Sequence, residues 1–223
     1  YATHSEGSFN ELINNRFQLP IIVLGYGERW NGFMDKFKKM YNYIQILPDN
    51  EIIVFIDGFD SYINQPGNVI KDRFLKYNAN IVLSEHPSLI GDYINRKVFG
   101  ICENNTVANS GLYIGYNKDI KKLLKHILES NYSNDDQRNL NAACSHFDNI
   151  KLDKEKKIFH NQSYYERYFN TKTDSCFVST PGVLTLNRTI RSVSEYSQFL
   201  WKEILLVLLL IIIYILMRKY RKN

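Results

Sequence analysis

The chain has 223 residues, 44% of them apolar, enough for one well-buried domain of ordinary size plus an appendage. Its net charge is +5, but Arg218, Lys219, Arg221 and Lys222 cluster in the last six residues, so the body is near neutral; with no basic stripe of interleaved aromatics upstream, this argues against nucleic-acid binding. Three scattered cysteines, Cys102, Cys144 and Cys176, exclude a disulfide scaffold and lack zinc-ribbon or redox spacing, leaving room for one disulfide at most.

Tyr1 to His4 reads as the end of a first strand, followed by a Ser5-Glu6-Gly7 turn and a helical stretch from about Ser8 to Arg16. A second strand is expected at Ile21 to Leu24, ending in Gly25-Tyr26-Gly27. Phe33, Phe37, Met40 and Tyr41 then recur at helical spacing behind Asn31, a fair N-cap. Pro48-Asp49-Asn50 breaks the chain before Ile52-Ile53-Val54-Phe55-Ile56, a continuous apolar run expected of a central strand buried on both faces. Further strands are expected at Ile81 to Leu83 and Leu112 to Tyr116, with helices near Asn68 to Tyr77, Lys118 to Ser130 and Asp135 to Ser145. Beyond Lys151 only the fragments Ile158-Phe159 and Cys176-Phe177-Val178 read as strands. Strands alternating with helices predict an α/β fold with an open, mainly parallel sheet and flanking helices, whose ligands sit beyond the carboxyl ends of the strands.

Asp57 and Asp60 follow the apolar strand directly, where two carboxylates can hold one divalent cation and leave coordination positions for phosphate oxygens; hard oxygen ligands suit Mn2+ or Mg2+. A simple acidic turn fits the same two residues. Asn109-Ser110-Gly111 is a turn that brings backbone close to a ligand or merely leads into the next strand. In Asn134-Asp135-Asp136-Gln137, Asn134 as N-cap and Gln137 three residues on make a capping-box-like helix start, with both acids on the favourable end of the helix dipole.

Taken in order, these segments resemble a known family. A glycine turn with Glu28-Arg29-Trp30, the strand into Asp57-Gly58-Phe59-Asp60, then Ala108-Asn109-Ser110-Gly111-Leu112-Tyr113-Ile114-Gly115 and Asp135-Asp136-Gln137 closely resemble the glycosyltransferase domain of the procollagen lysyl hydroxylase family, and are similar to procollagen galactosyltransferase and viral domains. The resemblance runs from about Tyr1 to Leu186, and Ile158-Phe159-His160-Asn161 looks like the family's late Ile-Phe-Gln-Asn segment.

It implies a GT-A (Rossmann-like) fold, a UDP-sugar donor, manganese, and transfer of galactose or glucose to collagen hydroxylysine. By position, Asp57 and Asp60 become the metal and diphosphate residues, and Phe59 stands where the family stacks a tyrosine on uracil. Thr3 and Trp30 fall near the nucleotide end, Asp135 and Asp136 face the sugar, and Asn109 lies close by. The family's third metal ligand is a histidine in a late His-Gly-Asn-Gly-like turn; Ser179-Thr180-Pro181-Gly182 stands there instead. Serine is a poor replacement for imidazole, so the resemblance leaves three readings open: weaker metal binding, substitution by a group such as His160, or a catalytically impaired homologue that binds a sugar nucleotide, glycan or partner.

Ile204 to Met217 is an unbroken 14-residue apolar run without a polar face. With Phe199, Leu200 and Trp201 it makes a membrane-spanning helix of 19 residues, residues 199–217, provided Lys202 snorkels. The expected organisation is therefore a transferase domain over 1–188, a polar stalk over 189–198, the spanning helix and a basic tail over 218–223. The positive tail predicts a cytoplasmic C-terminus and a lumenal or external enzyme, which needs a signal sequence upstream. Sequons at Asn104, Asn131, Asn161 and Asn187 agree with that side of the membrane, although an Asn-rich chain produces some by chance.

Overall fold

The computed structural model describes residues 1–87, 91–130, 132–181 and 186–220. Two compact units divide the chain, Tyr1–Pro181 and Gly182–Asn223.

The first unit is α/β. Helix α1 (Phe9–Ile13) and α2 (Asp35–Ile44) precede β1 (Ile52–Ile56) and β2 (Ser61–Ile63), followed by α3 (Gly67–Lys76), β3 (Ile81–Glu85) and α4 (Gly91–Phe99). Strand β4 (Ala108–Tyr116) leads into α5 (Asn117–Ser130) and α6 (Asp136–Cys144); β5 (Ile150–Leu152), β6 (Phe159–Asn161), the short α7 (Tyr164–Tyr168) and β7 (Phe177–Ser179) complete the unit. One sheet has the order β1-β4-β3-β5 and a smaller one the order β2-β7-β6.

The expectation of a mainly parallel sheet holds for strand direction and fails for pairing. In the larger sheet β1, β3 and β5 run the same way, but β4 is inserted in reverse, antiparallel to both β1 and β3, so that of its described pairings only β3–β5 is parallel; β6 and β7 of the small sheet also pair in parallel. β4 rather than β1 is the central strand. Its side chains alternate between two cores, as the pleat requires. Tyr113 packs with Phe55, Ile81 and Leu83 under Phe37, Met40 and Ile44 of α2 and Ile120, Leu123 and Ile127 of α5. Leu112 and Ile114 point the other way, toward Ile70 and Phe74 of α3 and toward Phe159 and Phe177 of the small sheet. Of β1 only Phe55 is fully buried. Its outer edge borders an apolar cavity of about 600 Å³ lined by residues 19–24 and 51–56 among others, which takes in none of the acidic residues singled out above.

The two N-terminal segments expected as strands form single backbone contacts rather than ladders. Tyr1 donates its amino group to Ile56 O at 2.8 Å, Gly58 N donates to Tyr1 O at 2.9 Å, and Ala2 N donates to Leu24 O at 3.2 Å. Asn31 does not cap α2: Gly32, at φ +89°, interrupts the backbone, and the helix starts behind Met34 without a side-chain cap. Gly7 is required by a close approach, since a Cβ there would lie 2.0 Å from the Phe59 carbonyl oxygen, which instead accepts Ser8 N at 2.8 Å. That contact ties the first loop to the turn carrying Asp57 and Asp60.

Cys102 and Cys144 form the disulfide the cysteine count allowed, while Cys176 is free and buried. The bridge fixes the loop before β4 to the last turn of α6. The second unit is described from Leu186 as one helix, α8 (Leu186–Tyr220), so the polar stretch 189–198 is helical and continuous with the apolar run. Tyr196–Arg218, 23 residues containing an 18-residue window of mean hydropathy 2.6, is long and apolar enough to cross a membrane. Asn131, Gly182 and residues 221–223 of the basic tail lie outside the described residues.

Candidate active site

The site is built where β1, β4, α2 and α6 converge. Asp57 leaves β1 with its backbone N donating to Gly111 O at 2.8 Å, so the carboxylate is aimed by the β1–β4 pairing. Opposite it, the Asn109-Ser110-Gly111 segment lies inside β4 rather than in a turn before it. The β3–β4 register jumps there, from Leu83↔Tyr113 to Ser84↔Asn109, and the unpaired residues bulge toward Asp57. Asn109 Oδ1 stabilises the bulge by accepting Gly111 N at 2.8 Å. Gly111 is the residue that permits it, because a Cβ there would meet Asp57 Oδ2 at 2.8 Å and Asn109 Oδ1 at 3.0 Å.

Asp136, the first residue of α6, reaches the same place. Its helix is anchored to β4 by Asn141, which accepts Ala108 N at 2.8 Å and donates to Ala108 O at 3.0 Å. Between the two carboxylates lies Lys36 of α2, with Nζ 3.0 Å from Asp57 Oδ2, 2.6 Å from Asp136 Oδ2 and 3.3 Å from Ser110 Oγ. Ser110 Oγ also donates to Asp136. Burial works against the Lys36 charge, yet Asp136 and then Asp57 outweigh it and hold the ammonium above the usual lysine range. Lys36 is a residue that sequence reasoning missed. It lies three residues after Phe33 and four before Met40, on the apolar stripe of its helix, and a lysine on such a stripe was the available signal.

Asp60 forms the second end of the cluster. Its Oδ1 accepts from Ser61 Oγ and Ser179 Oγ, both at 3.3 Å. Burial, and next the Asp57 charge, push its carboxyl up to about 6. Two neighbouring carboxylates, one of them without an ion pair among the described residues, suit a divalent cation held between them. No group of three His, Cys, Asp or Glu side chains able to hold a metal occurs among the described residues, so a cation here would need its remaining ligands from elsewhere. His160 does not supply one: its Nε2 contacts Glu166 Oε1 at 3.0 Å and Lys156 Nζ at 3.3 Å, and it pairs with Val178 in the ladder, whereas Asn161 pairs with Ser179. Ser179 itself does face Asp60, at the position from which the resemblance expects a metal ligand to act.

The remaining candidates divide. Asp135, not Asn134, is the N-cap of α6, with extended backbone and its carboxylate accepting Arg138 N at 2.8 Å. Its carboxyl is pushed up by burial and by Asp136. The capping-box reading fails because Gln137 turns away to Asn109 Nδ2 at 3.4 Å and His86 Nδ1 at 3.2 Å. Thr3 is buried beside the glycine turn, its carbonyl accepting Gly27 N at 2.9 Å. Phe59 packs its half-buried ring on His4, centroids 4.9 Å apart. Trp30, 48% exposed, packs edge-on against Phe33. The structure thus joins Asp57, Asp60, Asn109 and Asp136 through shared neighbours, and leaves Trp30 apart.

Comparison with known proteins identifies a family. The model of the PLOD GT domain family matches residues 2–179, which include every site residue described above. The chain is similar to the multifunctional procollagen lysine hydroxylase and glycosyltransferase of Caenorhabditis elegans, 27% identical over 182 residues, with 72% of this chain covered. It spans only 24% of that relative's length. The chain belongs to the PLOD GT domain family, a family of glycosyltransferase domains.

Proposed function

We propose that the chain is a metal-dependent hexosyltransferase that moves galactose or glucose from a UDP-sugar to a protein hydroxyl, such as hydroxylysine in a collagen-like chain. The observation that carries this reading is the bridging of Asp57 to Asp136 by Lys36 at the ends of β1 and α6, with the Asp60 carboxyl raised by the neighbouring Asp57 charge, within a chain of the PLOD GT domain family. Asp57 and Asp60 would hold Mn2+ or Mg2+, which when bound offsets the charge of the departing diphosphate. Asp136, buried and fixed by Ser110 and Lys36, presents a carboxylate where acceptor hydroxyl and sugar would meet, and Asn109 and the Gly111 bulge let backbone approach the ligand closely. Asp135 orients α6 as its cap. Phe59, Thr3 and Trp30 would line the uridine end, Phe59 offering its ring face for stacking. The C-terminal helix would anchor the domain to a membrane, with the catalytic unit on the lumenal or external side. The Cys102–Cys144 disulfide supports that side, because such bonds persist in oxidising compartments.

Ser179 favours a second reading, a membrane-bound homologue that retains nucleotide-sugar binding with little turnover. A hydroxyl 3.3 Å from Asp60 is a far weaker metal ligand than imidazole. One donor screen separates the two: detergent-solubilised full chain, UDP-galactose and UDP-glucose, with and without Mn2+, against a hydroxylysine peptide and water. Mn2+-dependent UDP release with a glycosylated peptide supports the transferase. UDP binding without release supports the second reading, and absence of both contradicts each.

A further inference from the structure

Lys36 is costly where it stands. It sits in the first turn of α2, the end of a helix that disfavours cations, and its side chain is 9% exposed, with the rings of Phe37 and Phe55 within 6 Å. Nothing about the stability of α2 calls for a buried ammonium there, since the same stripe is filled by Phe37, Met40 and Ile44. What it does touch is specific: one oxygen of Asp57, one of Asp136, and the Ser110 hydroxyl, contributed by three separate elements.

We propose that Lys36 is a positioning residue of the transfer site, an internal cation that pins Asp136 at the sugar end and commits one oxygen of Asp57, thereby confining the exchangeable divalent cation to the Asp57–Asp60 end. This rests on the transferase reading above. The physical basis is division of charge. Three carboxylates face the cluster, and a fixed ammonium between Asp57 and Asp136 neutralises half of the charge of that pair and holds the Asp136 side of it, leaving Asp60 without a cation of its own among the described residues, so that a divalent ion and the diphosphate it accompanies are best bound at the Asp57–Asp60 end. A lysine serves better than a second metal ion at this position because its stem fixes the ammonium to α2, so the Asp136 carboxylate is held in one place before any substrate arrives.

The test measures Mn2+ binding without nucleotide, Mn2+-dependent UDP binding and donor turnover in detergent-solubilised full chain, for wild type, Lys36→Met and the double variant Lys36→Met/Asp136→Asn. Removing the ammonium from contact with Asp57 should tighten binding of Mn2+ alone by about tenfold or more, while kcat for UDP release falls about 100-fold and the KM for donor moves little. The double variant, which removes a negative charge together with the positive one, should fold, bind Mn2+ nearly as wild type does and remain as slow as the single variant. A structural pin alone would instead weaken Mn2+, UDP and melting temperature together. That pattern overturns the proposal, as does wild-type kcat in either variant or loss of fold in both. A wild type that binds no UDP in the presence of Mn2+ overturns the transferase reading itself, whereas normal wild-type binding with unchanged variants overturns only the role of Lys36.

Discussion

In the proposed transferase, Ser179 is the residue on which catalytic capacity would turn, because its hydroxyl lies 3.3 Å from Asp60, where the resemblance expects a metal ligand. We expect Ser179→His to lower the Mn2+ concentration needed for half-maximal UDP binding by about tenfold, with any UDP release rising in parallel, since a neutral imidazole donates a lone pair that a hydroxyl holds weakly. Paired metal titrations check this, and equal metal dependence in both proteins contradicts it. His86 gives a pH-dependent prediction. Burial lowers its imidazole to about 4, so its contribution to stability is fully present above the unfolded value near 6.5 and is lost as pH falls toward 4. Asp60 acts oppositely over part of that window: its raised carboxyl stabilises the fold at low pH and ceases to do so as pH rises through about 6. The difference between wild type and His86→Asn isolates the histidine. Wild type should lose more melting temperature than the variant between pH 6.5 and 4, and parallel losses would contradict the burial effect.

At the scale of elements, α6 carries the Asp136 carboxylate at one end and Cys144 at the other, so the disulfide to Cys102 bears on the site through the helix. Closing a loop between residues 42 apart in sequence contributes about 4 kcal/mol, and Cys102→Ser/Cys144→Ser should reduce unfolding free energy by that order, measured by denaturant titration under oxidising conditions. An unchanged midpoint contradicts the bridge. α8 is expected to resist carbonate extraction from membranes, and release without detergent contradicts its role as an anchor. What could be read from sequence follows the physics of each element. α2, α3, α5 and α6 were legible from helical periodicity, and β1 and β3 from their apolar runs. The reversed direction of β4 was not, because an apolar run carries no information about which way its strand points. Nor was the Asn109–Gly111 bulge, which depends on register with β3, or Lys36, whose partners lie 21 and 100 positions away in sequence. Asp57, Asp60 and Asp136 were found because the order of segments identified the family; spacing alone would have left them as turn and cap residues.

At the scale of the molecule, a single α/β unit supplies both ends of the site, and the paired arrangement of sheet and small sheet determines their separation. Asp57 comes from the main sheet, while Asp60 leads into β2, whose partner β7 brings Ser179 alongside through the Ser61↔Ser179 pair. The segments of chain that build the site all fall within residues 2–179, matched by the PLOD GT domain family. The central claim is that the acidic pair at the end of β1 binds a nucleoside diphosphate through a divalent cation. It is tested most directly by calorimetric titration of UDP into the full chain in detergent, with and without Mn2+, for wild type and Asp57→Ala/Asp60→Ala. The account predicts that Mn2+ strengthens UDP binding to wild type by at least about tenfold and that this enhancement vanishes in the double variant while its fold, read by circular dichroism, is kept. An undiminished Mn2+ enhancement in a folded double variant would contradict it.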